Sequence, residues 1–137
     1  AMLSGYKDGQ IYRADEKAYK DQSPQRNDVV VFKSTKDPNT IFAKRVVGLP
    51  RETLEIKGGK VYINDKLLEE TYLDKDIYTG PETFLPEGKK VVILENTYFV
   101  MGDNRPHSSD SREWGFLPKE NITAKLLECF TNCTETK

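Results

Sequence analysis

Short runs of β-branched and aromatic residues, separated by glycine and asparagine turn signals, constrain the fold of this chain more than any other feature. The runs DVVVF (28–32), IFAKRVVGL (41–49), KKVVIL (89–94) and TYFVMG (97–102) are typical of strands. No window of a dozen residues keeps the 3.6-residue period of an amphipathic helix. The sequence therefore predicts a mostly β domain, an antiparallel β-sheet with little helix.

Two tight hairpins are predicted in the middle of the chain. TLEI and KVYI flank the glycines of KGG (57–59), and glycine readily adopts the positive φ that a tight turn requires. KVYI and KLLEE flank a second turn at Asn64-Asp65. Residues 71–88 are rich in turn-forming residues, and we expect a surface excursion there. Pro118 suits the first position of a helix, so one helical turn is expected within 118–130.

Length, charge and cysteine content restrict the class of protein. With 137 residues and a formal net charge of −1, the chain is expected to form one domain (1–137), with no basic excess for nucleic acid. No apolar run reaches the ~18 residues of a membrane span, although the abrupt start AMLSGYKDGQ is compatible with an anchor before it. Cys129 and Cys133 fit neither a zinc knuckle nor a redox pair, so an inert pair or a local disulfide is expected, and no metal. His107, the only histidine, is expected at the surface.

Lys44 lies among the apolar residues of the second run. Alternation along a strand places Phe42, Lys44 and Val46 on one face and Arg45 on the other, so one of the two cations points toward an apolar face. On an edge strand, the lysine would reach water along its own stem. In a buried position, desolvation would lower its pKa from ~10.4 toward neutrality, and the neutral amine would be a general base for a hydroxyl nucleophile.

The most polar stretch, GDNRPHSSDSREWG, follows a predicted strand directly. Asp103 and Arg105 are two residues apart, and so are Asp110 and Arg112; as solvated ion pairs they would contribute ~0–1 kcal/mol each. The alternative is that glycines at both ends and several Asp and Ser side chains let the loop brace its own backbone. In that case a serine of the loop is able to hold a lysine amine by a hydrogen bond.

This stretch resembles the last signature motif of the type I signal peptidases, G-D-N-R-x-x-S-x-D-S-R-x-x-G, at every fixed position. KRVVGLP (44–50) resembles the lysine motif of that family, K-R-x-x-G-x-P, and RNDVVVF (26–32) resembles the strand motif before it, usually R-G-D-I-V-V-F. The motifs follow in the same order, and the resemblance extends from residue 1 to about 125. It implies a largely antiparallel β domain on the outer side of the cytoplasmic membrane, anchored by an N-terminal membrane helix that is not in this chain.

The resemblance also implies a serine endopeptidase that removes signal peptides from exported preproteins and uses no cofactor. Lys44 matches the general base of the family, and Ser108 matches the serine that orients this base. The residues that match the family's site-bracing positions are Asp103, Arg105, Asp110 and Arg112. The residues that match its substrate-binding pockets are Met2, Tyr6, Phe42 and Ala43.

The chain departs from the family at the nucleophile. The family motif S-M-x-P-T-L-x-x-G-D aligns its serine with Ala1 and its proline with Ser4, so position 1 carries no hydroxyl. Ser4 is displaced by three residues and is a poor substitute. Ala1 is a deliberate Ser→Ala change, a residue introduced by cloning, or the natural residue of a non-catalytic relative. Arg51-Glu52 also replace the family's Gly-Asp, so that turn is expected to differ.

Three functions are compatible with this pattern. The first is a membrane-associated signal peptidase with a Ser–Lys dyad, inactive in this chain because position 1 is alanine. The second is a non-catalytic, signal-peptidase-like module that binds or assembles exported proteins. The third is a self-cleaving repressor of the LexA type, which shares the dyad but needs an N-terminal DNA-binding domain. The genomic sequence upstream of Met2 distinguishes them.

Overall fold

The structure is a computed structural model that describes residues 2–4 and 11–131, and their side chains from 13 to 127. Within these ranges the chain forms a short α-helix, α1 (Ser111–Trp114), and single 3-10 turns at Arg105–His107 and Lys119–Asn121. The strands are β1 (Met2–Ser4), β2 (Ile11–Asp15), β3 (Val29–Lys33), β4 (Ile41–Gly48), β5 (Thr53–Lys57), β6 (Lys60–Ile63), β7 (Lys66–Leu67), β8 (Val91–Val92), β9 (Thr97–Met101), β10 (Leu117–Pro118) and β11 (Ile122–Thr131).

The strands form two antiparallel sheets, which confirms the predicted mostly β fold. The larger sheet has the order β1-β2-β11-β3-β4-β9-β10, and the smaller sheet has the order β7-β6-β5-β8. β4 therefore lies in the interior of the larger sheet, with β3 on one side and β9 on the other. This position decides the environment of Lys44.

Both predicted hairpins are confirmed. β5 and β6 pair through Lys57 and Lys60, and the two glycines between them have φ values of 58° and 78°. Asn64 and Asp65 connect β6 to β7 with φ values of 51° and 68°. Two successive positive φ values are the geometry of a type I′ turn, which matches the right-handed twist of the strands it joins.

The C-terminal part of the described chain differs from the prediction. The expected helical turn is only the 3-10 turn before β11, and the residues after it form a ten-residue strand between β2 and β3. The pairing of β11 shifts between Ile122 and Ala124, and again between Leu126 and Glu128. Such irregularities break the two-residue alternation that identifies a strand in a sequence, and this is why the strand was not predicted.

The segment 71–88 forms no helix or strand, but it is not wholly a surface excursion. Thr79 and Leu85 are buried, and Phe84 packs against a core cluster. The backbone N–H of Thr79 donates to the carbonyl of Gly59, and Gly88 donates to Ile56. These contacts fasten the segment to the smaller sheet.

One apolar cluster connects the two sheets. It contains residues of β4 and β9 from the larger sheet and residues of β5 and β6 from the smaller one. Gly48, at the end of β4, lies so close to Ile93 that a Cβ there would overlap the isoleucine side chain. The glycine of the lysine motif thus permits the close packing that places β4 against this cluster.

The turn after β4 has, at position 51, the left-handed backbone conformation that favours glycine, although this position carries an arginine. Arg51 has φ of 71°, and its side chain is 78% exposed. Glu52 accepts two hydrogen bonds from the guanidinium of Arg26, at 2.7 and 2.6 Å, and one from the backbone N–H of Leu49. The turn that was expected to differ is therefore held by Glu52, with left-handed backbone at Arg51.

We expect Arg51→Gly to stabilise the protein. A non-glycine residue in left-handed backbone costs about 1–2 kcal/mol, and a glycine costs about 0.4–1 kcal/mol through the unfolded state, so the net gain is about 0.5–1 kcal/mol. Urea unfolding at an unchanged m-value measures it. Arg51→Ala is the control, because alanine removes the side chain and keeps the strained backbone. A lower urea midpoint for Arg51→Gly than for Arg51→Ala would contradict the strain.

Candidate active site

Lys44 is buried in the interior of the larger sheet. Its exposed fraction is 2%, and it pairs with Val30 of β3. The edge-strand alternative is wrong, because β4 has a neighbour on each side. Lys44 Nζ lies 3.1 Å from Ser108 Oγ and 5.9 Å from the centre of the Phe42 ring. Burial and the hydrogen bond to Ser108 are as the resemblance led us to expect.

Ser108 is held from a second side by the backbone. The N–H of Gly102 donates to Ser108 Oγ at 3.1 Å and to Asp110 Oδ2 at 3.2 Å. A hydroxyl accepts through its lone pairs and has one hydrogen to donate. The N–H of Gly102 occupies a lone pair of this oxygen and leaves the hydroxyl hydrogen available. The hydroxyl is therefore able to donate to a neutral Lys44 amine. With a protonated lysine, the same contact runs from Nζ to Oγ.

Asp110 and Arg112 form a buried ion pair, and the solvated alternative is wrong for them. Their side chains are 0% and 1% exposed, and Arg112 donates through Nε and Nη2 at 2.9 and 2.8 Å. Asp110 also accepts from the backbone N–H of Arg112, which caps the N-terminus of α1. Arg112 further donates to the carbonyls of Arg105 and Gly80. The pair therefore connects the two ends of the polar loop with each other, and the Gly80 carbonyl connects them with the segment 71–88.

Asp103 and Arg105 do not pair with each other. Asp103 accepts two hydrogen bonds from Arg45, at 2.9 and 2.7 Å. Arg105 donates two to Glu70, at 3.1 and 2.6 Å, and its side chain is fully buried. The local pair between Asp103 and Arg105 that the sequence suggested is therefore absent. Two ion pairs between residues far apart in the chain replace it, Asp103 with Arg45 and Arg105 with Glu70.

Glu70 stabilises the positive charge of Arg105. Burial alone would lower the pKa of Arg105, but the hydrogen bonds and the negative charge of Glu70 outweigh it, so that the pKa is raised. Tyr72 donates its hydroxyl to the same carboxylate at 2.6 Å, and burial, reinforced by this bond, raises the pKa of Tyr72. The ring of Tyr72 lies 4.1 Å from the guanidinium carbon of Arg45.

Several residues of this arrangement were not singled out from the sequence as site residues. Arg45 and Ser111 occupy motif positions, so the motifs contained a signal for them; Ser111 accepts from the backbone N–H of Val100. Glu70, Tyr72 and Thr79 lie outside every motif. Nothing in their own neighbourhood indicates that they contact the loop.

The substrate-pocket candidates are only partly described. Phe42 is half-buried near Phe32, whereas Ala43 is buried with Val31 in a different cluster, so their side chains do not lie on one face. His107 is exposed, as expected. The positions and side chains that lie outside the described residues are Ala1, Tyr6, Cys133 and the side chains of Met2, Ser4 and Cys129.

Comparison with known proteins identifies the family to which this geometry belongs. The family model described as "Signal peptidase, peptidase S26" matches residues 2–131. The chain belongs to the signal peptidase family. The match includes the strand that carries Lys44 and the loop that carries Ser108. The mostly antiparallel fold also agrees with this family, because the chain resembles a crystal structure of a signal peptidase I from Enterococcus faecalis V583.

The signal peptidase relatives cover most of this chain. The Enterococcus structure has a TM-score of 0.63 and 31% identity, and the alignment covers 77% of this chain and 98% of the other. Signal peptidase I of Leptolyngbya laminosa is 37% identical, with coverage of 82% of this chain and 56% of its own length. Signal peptidase IB of Staphylococcus aureus strain COL is 35% identical, with coverage of 96% and 73%. The chain thus spans little more than half of the Leptolyngbya relative. Within the described ranges, no helix is long and apolar enough to cross a membrane.

Proposed function

We propose that this chain is the catalytic domain of a membrane-anchored serine endopeptidase that removes signal peptides from exported preproteins. The observation that carries the proposal is the buried Lys44 amine, 3.1 Å from the hydroxyl of Ser108. A lysine in water keeps its proton at neutral pH, whereas desolvation disfavours the ammonium and favours the neutral base. The family membership supports the same reaction.

In this mechanism a serine at position 1 is the nucleophile. Its Oγ forms a bond to the scissile carbonyl carbon while Lys44 Nζ takes the hydroxyl proton. The C–N bond then breaks, and Lys44 returns the proton to the leaving amine. Lys44 next takes a proton from water as the water oxygen forms a bond to the acyl carbon. The ester C–O bond then breaks, and the serine oxygen takes that proton from Lys44, which restores the hydroxyl and the neutral amine. Ser108 keeps the amine aimed at position 1, and the backbone N–H at position 1 contributes to binding the oxyanion.

The bracing contacts give this mechanism a fixed geometry. Asp110 and Arg112 hold the end of the polar loop, and Arg45 and Asp103 join the loop to β4. A base must stay within hydrogen-bonding distance of the proton that it removes, and rigid support maintains that distance. We assign Asp103, Arg105, Asp110 and Arg112 to this supporting role.

The substrate is proposed to be the signal peptide of an exported preprotein, bound in an extended conformation. β1 lies at the edge of the described larger sheet, and an exposed edge is able to accept an added strand. We propose that Met2, Tyr6, Phe42 and Ala43 line the shallow pockets that receive small side chains before the cleavage site. The catalytic domain would then lie on the extracytoplasmic side of the cytoplasmic membrane, attached through an N-terminal helix.

The second candidate is a non-catalytic binding or assembly module, and Ala1 at the nucleophile position favours it. Such a module would bind the same peptides and leave them intact. Family membership favours either of these candidates over a self-cleaving repressor.

We expect cleavage only when position 1 is serine. The full-length protein is compared with alanine and with serine at position 1, on an exported precursor whose signal peptide ends in Ala-x-Ala. The serine form should release the mature protein, and the alanine form should not, because it has no hydroxyl to acylate. Cleavage by the alanine form that survives Ser4→Ala would contradict the nucleophile assignment. A serine form that binds the precursor without cleaving it would favour the binding module.

A further inference from the structure

Glu70 is placed to act on the active site from outside the signature motifs. It lies after β7, and its side chain is 8% exposed. Both carboxylate oxygens accept hydrogen bonds from Arg105, and one also accepts the hydroxyl hydrogen of Tyr72. Since the side chain of Arg105 is fully buried, this carboxylate supplies its counter-charge in the described structure.

Arg105 transmits this contact to the lysine through the backbone of the loop. Its Nε donates to the carbonyl of Gly102 at 2.8 Å. The N–H of the same glycine donates to Ser108 Oγ, which lies within hydrogen-bonding distance of Lys44 Nζ. Four consecutive hydrogen-bonded contacts therefore connect Glu70 to Lys44.

The segment after Glu70 strengthens the same connection. Thr79 Oγ1 accepts from Arg105 Nη1 at 2.9 Å, and its side chain is buried. Tyr72 lies against Arg45, which holds Asp103 of the loop. The segment after Glu70 thus contacts both Arg45, through Tyr72, and Arg105, through Thr79.

We propose that Glu70 is a positioning residue of the peptidase site, which holds Arg105 so that the backbone on both sides of Gly102 stays in place and its N–H aims Ser108 at Lys44. The inference rests on the proposed function. Without the carboxylate, the guanidinium is a buried charge that has lost its counter-ion, and it has to move toward water. Its movement would release the Gly102 carbonyl and let the Ser108 hydroxyl turn away from the amine. Substrate contacts should stay, because the described hydrogen-bond partners of Glu70 are Arg105 and Tyr72, and neither is a proposed pocket residue.

The test compares Glu70→Gln with Glu52→Gln in the full-length protein with serine at position 1. Glu52 forms a similar bidentate pair with Arg26, so its variant removes a carboxylate–guanidinium pair of the same geometry, although a more exposed one, from another part of the chain. Glu70→Gln should lower kcat by roughly 10- to 100-fold, because small misplacements of catalytic groups have effects of this size, while KM changes less than about twofold. Glu52→Gln and the exposed Glu69→Gln should keep the parent kcat. An unchanged kcat, or a loss confined to KM, would overturn the proposal.

A second variant covers the case in which Glu70→Gln does not fold. Glu70→Met combined with Arg105→Met replaces the ion pair by apolar side chains, a change that proteins often tolerate. The double variant should fold and still show the kcat loss, because the Gly102 carbonyl has lost its donor. A folded double variant with parent kcat would also overturn the proposal.

Amide exchange separates this proposal from the proposed function. The Gly102 N–H should exchange at least about tenfold faster in Glu70→Gln than in Glu52→Gln, because local opening of the loop exposes it. Equal exchange in the two variants would overturn the positioning role. Failure of the serine-bearing parent to cleave any precursor would count against the proposed function alone, since the exchange measurement requires no activity.

Discussion

Replacement of Lys44 by methionine should lower kcat/KM on the order of 10⁴-fold or more in the full-length protein with serine at position 1. Members of a catalytic unit have effects of this size when they are removed singly. Without the amine, the group that takes the proton from the serine at position 1 is missing. A hydroxyl that keeps its proton is a weak nucleophile. Cleavage of an Ala-x-Ala precursor, measured under kcat/KM conditions, gives the ratio.

Methionine makes the loss interpretable. Its unbranched apolar side chain is able to fill the buried space of the lysine stem near Phe42, so we expect the variant to fold. Lys33→Met is the matched control, because this lysine is exposed at the end of the neighbouring strand. Ser108→Ala should cost less than Lys44→Met, since it leaves the base in place and removes its orienting partner. An active Lys44→Met variant would refute the dyad.

The pH dependence of the serine-bearing protein tests the same assignment. A general base works only when it is unprotonated, so kcat/KM should rise as the pH rises through its pKa. Because Lys44 is buried, its pKa should lie below the ~10.4 of a free lysine. A rise centred at or above that value would mean that burial does not neutralise the amine.

The parts of the site that could be predicted from the sequence are those encoded by local patterns. The short strands and their turns predicted the β fold, and the two signature motifs predicted that Lys44 and Ser108 meet. The assignment of Lys44 to the interior of the sheet could not be made from β4 alone. It depends on β9 pairing beside it, and that pairing joins residues more than fifty positions apart.

Ion pairing was the least predictable feature, for a physical reason. Asp110 and Arg112 are two residues apart and do pair, because the start of α1 folds the backbone back on itself. Asp103 and Arg105 have the same spacing, yet Asp103 pairs with Arg45 of β4, and Arg105 pairs with Glu70, which follows β7. In an irregular loop, the spacing of two charged residues does not determine which residue each of them pairs with. Burial of a charged side chain does require a partner of opposite charge or a hydrogen-bond partner.

Asp110→Asn should destabilise the protein by about 3–5 kcal/mol, the usual cost of breaking a buried ion pair from one side. The carboxylate accepts from Arg112 Nε, Arg112 Nη2, the N–H of Arg112 and the N–H of Gly102. An asparagine has one acceptor oxygen, so its NH₂ group would face donors, and Arg112 would stay buried without a counter-charge. Urea unfolding of the alanine-bearing protein measures the loss, independently of catalysis.

Asp65→Asn is the matched control for this prediction. Asp65 also lies 2.7 Å from its cation, Lys90, but both side chains are more than half exposed. Asparagine suits the positive φ of that turn, so the same chemical change should leave the unfolding free energy within error of the parent. If the two Asp→Asn variants unfolded at similar urea concentrations, the buried pair would contribute no more than a solvated one. Asp110 and Arg112 would then be placed for the geometry of the loop, and the stability of the fold would rest on its apolar clusters.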